Sequence, residues 1–204
     1  MSPSAGDPLV SMFQDALEML SLTWASFRRH DPAALDKAAA LGRDIHKREK
    51  DLTERLLVAQ PEREGLRFVP SHLERVADVI EGLIRCLRGM DAEATVFTDR
   101  GLREINQLFA HAADLLECAR DLTLTGNHVL ARHVELESMR FQDQASEFAR
   151  AHEERLIEGV CMPKASSAYL AMLDYLREVT RHARRIGARV VPPEPAVSPA
   201  RDSG

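Results

Sequence analysis

Met12-Phe13-Gln14-Asp15-Ala16-Leu17-Glu18-Met19-Leu20 reappears later in the chain as Leu108-Phe109-Ala110-His111-Ala112-Ala113-Asp114-Leu115-Leu116. Apolar residues fall on apolar residues and small ones on small ones. The same offset sets Ile45 on Phe141, Asp51 on Glu147 and Leu52 on Phe148. A slightly larger offset sets His72-Leu73-Glu74-Arg75-Val76 on Tyr175-Leu176-Arg177-Glu178-Val179. Three matching segments in one order are the mark of an internal duplication, which fixes architecture before any detail of it. The chain reads as two similar helical units in tandem.

The periodicity within each unit is helical. Leu9, Met12, Phe13, Ala16, Leu20 and Phe27 recur at three- and four-residue steps, as do Leu73, Val76, Ile80, Leu83 and Leu87. Asp7-Pro8 and Asp31-Pro32 read as helix starts, with a capping acid followed by proline in the first turn. Leu35, Ala38, Leu41, Ile45, Leu52 and Leu56 mark a second helix ending before Pro61, and a polar loop runs from Pro61 to Phe68. Asp91 to Thr95 reads as a hinge. A fourth helix opens at Thr98-Asp99 with Leu102, Ile105, Phe109, Ala112, Leu116 and Ala119 inward, and stops or kinks at Gly126-Asn127. The fifth carries Leu130, Val134, Phe141, Ala145, Phe148 and Leu156, and the sixth Tyr169, Leu173, Leu176, Ala183, Ile186 and Val190. The predicted fold is all-α: two tandem antiparallel three-helix bundles over 8–92 and 96–190. The Pro-rich stretch 191–204 reads as a disordered tail.

Composition narrows the function classes. A net charge of −5 supplies no overall attraction to nucleic acid or to an anionic membrane. Cys86, Cys118 and Cys161 form no CxxC pair, so a zinc knuckle or dithiol centre is not indicated. The first residues lack the basic and apolar regions of a secretion signal, and no apolar run approaches the ~20 residues of a membrane span. The expected location is the cytoplasm. No Ser-His-Asp set, phosphate-cradling glycine loop or HExxH motif stands out, and no enzymatic activity is expected. His133 with Glu137, and Glu178 with His182, are one helical turn apart and read as surface pairs. His152 falls on the apolar row of the fifth helix and reads as a satisfied interior histidine. The run Arg177, Arg181, Arg184, Arg185, Arg189 on the sixth helix reads as a solvated face with internal pairing, or else a face for an acidic partner or phosphate.

Three stretches carry a family resemblance. His72-Leu73-Glu74-Arg75-Val76-Ala77-Asp78 resembles the Asp-Leu-Glu-Arg-Ile-Gly-Asp signature of the PhoU family. His152-Glu153-Glu154-Arg155-Leu156, Gly159-Val160-Cys161-Met162-Pro163 and Ser166-Ser167-Ala168-Tyr169-Leu170 are together similar to the second half of PhoU-like domains, including those attached to bacterial sodium–phosphate cotransporters. The resemblance implies a regulator of phosphate uptake or phosphate signalling that binds a transporter component or a sensor kinase. Contact with a membrane would come only through such a partner, and a homodimer remains open. It also implies acidic pairs that hold iron, manganese or zinc, although no cofactor is required. Glu74 and Asp78 match that pattern in the first half, and Asp143 and Glu147 in the second. Their partner positions are Lys47 with Asp51, and Arg177 with Arg181, so basic residues stand where carboxylates would be. The expectation is that Lys47 pairs with Glu74 or Asp78, and that Arg177 and Arg181 pair with Asp143 and Glu147. A metal-handling bundle built on the remaining acids is the alternative function.

Overall fold

The computed structural model describes residues 7–59 and 64–192. Its helices are α1 (Pro8–Arg29), α2 (Pro32–Ala59), α3 (Val69–Ala92), α4 (Asp99–Thr125), α5 (His128–Ile157) and α6 (Pro163–Val190), with a short 3₁₀ turn at Glu64–Phe68 before α3. The described residues include no strand. Of the tail expected over 191–204, residues 193–204 lie outside the described residues, as do loop residues 61–63, whereas Val191 is buried and its amide donates to the Gly187 carbonyl at 2.9 Å.

Local chemistry sets most boundaries. Asp7 accepts from the Leu9 amide at 2.9 Å, Thr98 from Gly101 at 3.2 Å, and Asn127 from Val129 and Leu130. Each satisfies amide donors that a helix start leaves unpaired. Gly126, at φ 63°, ends α4 in the left-handed conformation that costs glycine little.

Helices α1, α2 and α3 pack on one another, and α4, α5 and α6 do the same. The trios meet through α3 against α6 and α1 against α4. Contacts between His72 and His182, Gly82 and Tyr175, and Cys86 and Ala168 show α3 and α6 running antiparallel. A Cβ at Gly82 would lie 2.4 Å from the Tyr175 ring, so glycine is what lets these two helices close. On the other seam, Trp24 stacks on Phe109 and donates to Asn106 at 2.7 Å. One continuous core results, from Leu9 and Met12 through Ile80 and Leu83 to Leu173 and Ile186.

Six of the stripe assignments need correction, since Leu102 is exposed and Leu41, Leu130, Phe148, Leu156 and Val190 are only half-buried. Leu102 is 37% exposed, because the inward row of α4 opens with Gly101, Glu104 and Ile105, Glu104 being 5% exposed. In α2, Leu41 is only half-buried, although the rest of the predicted stripe is buried. The charged run Lys47-Arg48-Glu49-Lys50-Asp51, which interrupts the apolar stripe of α2, reaches inward at one point: Arg48 pairs with Asp15 of α1 and donates to Ser11 at 3.3 Å. No helix among the described residues is long and apolar enough to cross a membrane.

Candidate functional site

The α2–α3 seam gathers acids around a histidine. His46 Nδ1 lies 3.3 Å from Glu74 Oε1, and its Nε2 lies 3.6 Å from Asp78 Oδ1 and 3.5 Å from Glu81 Oε1. One donor atom each from His46, Asp78 and Glu81 falls within 4.8 Å of the other two, and all three residues are half-buried. Gly42, one turn before His46, makes the room: a Cβ there would lie 2.9 Å from Glu81 Oε1. One imidazole nitrogen with two carboxylates suits a single divalent ion of the zinc, iron or manganese kind. It falls short of the larger carboxylate set that a multinuclear cluster requires. Arg75, near Glu74 and Asp78, and Arg85, near Glu81, approach from the outer side.

The structure thus keeps Glu74 and Asp78 together and rearranges their partners. Lys47 does not meet either acid; its ammonium pairs with Asp44 at 3.3 Å and its side chain is 74% exposed. The reason is register. Ile45 is fully buried, and two residues further along a helix is about 200° round, which sends Lys47 outward and leaves His46 facing α3. Asp51 is exposed and lines a shallow groove with Glu54, Arg55 and Val58, away from the converging donors.

The same error of register occurs in the second trio. Asp143 stands two residues beyond fully buried Phe141 and is exposed, as is Glu147. The expected pairs do not form: Arg177 donates to Asp174 at 2.9 Å and to Ser146 at 3.1 Å, while Arg181 pairs with Glu178. Gln142, not Asp143, faces α6, donating to Thr180 Oγ1 and the Arg177 carbonyl. The charged run does hold some internal pairs, as expected. His182 meets His72 across the seam rather than Glu178.

A second polar cluster is largely buried, with only Arg100 reaching it from the exposed side. Glu104 accepts two hydrogen bonds from Arg155 at 3.1 and 2.8 Å, one from Tyr169 at 2.5 Å and one from Arg100 at 2.9 Å. His152 stacks on Tyr169, and its Nε2 lies 2.7 Å from Ser166 Oγ. His152, Arg155, Ser166 and Tyr169 all belong to the stretches that carried the family resemblance, so this stretch encodes a buried network. His152 is the satisfied interior histidine expected. Burial alone would push the Glu104 carboxyl up, but hydrogen bonds from Arg155, Tyr169 and Arg100 hold it below its ordinary range. Burial pushes the Tyr169 phenol up, and the Glu104 carboxylate adds to that. The Glu104 carboxylate is fully engaged within the cluster, while His152 and Tyr169 also line a cavity of about 230 Å³ with Phe97, Gly101, Cys161 and Met162.

The cysteines are free thiols. Burial raises the Cys86 thiol, and burial together with Asp121, Asp114 and Glu117 raises Cys118, which leaves both poorly nucleophilic.

No protein-family model matches the chain, and no curated protein matches it. Its fold is similar to that of a solved structure, the crystal structure of PhoU from Pseudomonas aeruginosa, at a TM-score of 0.79 and 18% sequence identity, covering 89% of this chain and 91% of that one. The chain therefore has a PhoU-like fold, and the likeness extends through both trios rather than one.

Proposed function

We propose that this chain is a cytoplasmic PhoU-like adaptor that regulates phosphate uptake or phosphate signalling by docking a helical surface onto a transporter component or sensor kinase. The observation that carries this reading is the fold likeness to PhoU over 89% of the chain. The site chemistry is compatible with it: His46 of α2 and the acids of α3 would make an ion-holding set without an activated nucleophile, and the Glu104 carboxylate is fully engaged by Arg155, Tyr169 and Arg100. Helix faces of this length suit recognition of partner helices. The test is deletion of the gene, with phosphate uptake measured in phosphate-rich medium. Uptake should rise and return to normal on complementation. Uptake unchanged by deletion, with a phosphate-starvation reporter also unchanged, would overturn the proposal.

A second reading, divalent metal binding, is favoured by the convergence of His46, Asp78 and Glu81. A bound ion would supply a cross-link between α2 and α3, and these three residues would hold it, with Glu74 on the far nitrogen of His46. Metal analysis of protein purified without chelator, beside the Asp78→Asn/Glu81→Gln variant, tests it. About one equivalent of iron, manganese or zinc, lost in the variant, is the expected result. A metal-free wild type that also takes up none on titration would sink this reading while leaving the adaptor role intact.

A further inference from the structure

The duplication can be followed into the acidic site residue by residue. The offset that sets Met12 on Leu108 also sets Gly42 on Ser138 and His46 on Gln142. The offset that sets His72 on Tyr175 also sets Asp78 on Arg181, Glu81 on Arg184 and Gly82 on Arg185. Ser138, Gln142, Arg181, Arg184 and Arg185 line one cavity of about 460 Å³ on the α5–α6 seam. The second trio therefore holds a pocket at the place where the first holds its acids, with every carboxylate replaced by a guanidinium.

Three features set this pocket apart from an ordinary charged helix face. Arg184 and Arg185 have no carboxylate within ion-pair distance among the described residues, although acids are abundant on the surface; Arg181 alone of the three is paired, to Glu178. The floor is fixed, since Ser138 is 2% exposed and donates to the Thr180 carbonyl at 3.0 Å, and Gln142 is held by Thr180 and the Arg177 carbonyl. The volume falls in the range of about 300–1,000 Å³ typical of small-ligand sites. Beyond the pocket, burial first, and then His182, Arg185 and Arg189, hold the His72 imidazole down to about 4.

From these juxtapositions we infer that the α5–α6 pocket binds a small phosphoryl oxyanion through Arg181, Arg184 and Arg185. Guanidinium forks match the oxygen spacing of such groups and can donate two parallel hydrogen bonds to each. Uncompensated like charges gathered in one cleft repel one another, and an anion of charge −2 or more relieves that repulsion. The site rests on the pocket's own residues and stands whatever the chain regulates. Inorganic phosphate and inorganic pyrophosphate are the two probes, and the larger charge and span of pyrophosphate should make it the tighter binder.

Isothermal titration of the full chain with each probe tests the inference, at low and at raised sodium chloride. Saturable binding at one site per chain is expected, weakened by salt because the groove is open to solvent. Arg184→Gln/Arg185→Gln should weaken it by about ten-fold or more, with the helical circular dichroism unchanged because both side chains are exposed. Gln142→Glu, which places a carboxylate on the floor, should weaken it independently. The inference is overturned if neither probe gives saturable binding in the millimolar range, or if both variants bind as the wild type does. It is equally overturned if the protein associates with phosphatidylglycerol vesicles while ignoring both free anions.

Discussion

Glu104 shows what a single carboxylate can organise. Four hydrogen bonds from three side chains converge on it, and two of the donors, Arg155 and Tyr169, are themselves buried. Removing its charge strands a guanidinium in the interior, which is costlier than the pair is stabilising. Glu104→Gln should therefore lose about 3–5 kcal/mol in urea unfolding, and Tyr169→Phe about 1.5–3 kcal/mol, as for a hydrogen bond to a charged group. A Glu104→Gln protein as stable as the wild type would show the network to be dispensable. The pair His72 and His182 makes a different prediction. Their Nδ1 atoms are 3.3 Å apart, a distance at which one ring donates to the other and both cannot be protonated comfortably. Burial first, then neighbouring cations, depresses both imidazoles, His72 to about 4 from an ordinary 6.5. Between those values the unfolded chain binds more protons than the folded one, so stability is complete above about pH 6.5 and declines as the pH falls toward 4. Urea midpoints at pH 7 and pH 5 should differ more for the wild type than for His72→Gln/His182→Gln; parallel losses in the two proteins would clear the pair of responsibility.

At the scale of elements, the sequence was legible wherever an apolar stripe met a chemical stop. Asp7, Thr98 and Asn127 cap their helices through side-chain oxygens, and Asn127→Ala should destabilise by about 1 kcal/mol. What the stripe did not resolve was which neighbour of a buried residue faces the next helix. Ile45 and Phe141 were both recognised as core, yet the polar residue meeting α3 or α6 is the one after each, His46 and Gln142, not the one two beyond. A family pattern aligned by residue type selects Lys47 and Asp143, because it matches charge and carries no helical angle. Glu104 and Arg155 were missed for a related reason: a buried salt bridge has no periodic signature of its own, since each member looks like a surface residue until its partner is seen. The α3–α6 seam was equally silent, because it is made by an absence, the missing Cβ of Gly82 under Tyr175. Gly82→Ala should cost about 1–3 kcal/mol through overpacking. Adding Tyr175→Ala should recover part of that loss, since residues in contact do not act additively. Simple addition of the two penalties in a double-mutant cycle would place the fit of this seam elsewhere.

For the whole molecule, duplication explains the plan while divergence explains the chemistry. Two copies of one trio have kept their apolar stripes, so Met12 and Leu108, or Ile45 and Phe141, are buried in corresponding places. At the polar seam the copies have parted in sign, acids around His46 in one and guanidiniums around Gln142 in the other. The duplication was plain from sequence; this inversion was not, because it becomes a statement about sites only when the register of α2, α3, α5 and α6 is known. The trios nevertheless do not behave as beads on a string in this structure. Apolar residues from all six helices join in one core, and the α3–α6 contact is as intimate as those within each trio, reaching from His72 and His182 to Cys86 and Ala168. Unfolding one trio would expose the face of α3 or α6 on which the other depends. Cooperative loss of both is then favoured over stepwise loss, because an intermediate would keep half the ordering cost while giving up the shared burial. Calorimetry should give a single transition whose van't Hoff and calorimetric enthalpies agree, and Gly82→Ala should lower that transition as a unit. Two resolved transitions in the wild type, or a Gly82→Ala scan in which one half melts early while the other keeps its midpoint, would mean that the halves are energetically independent and that the seam joins them without coupling them.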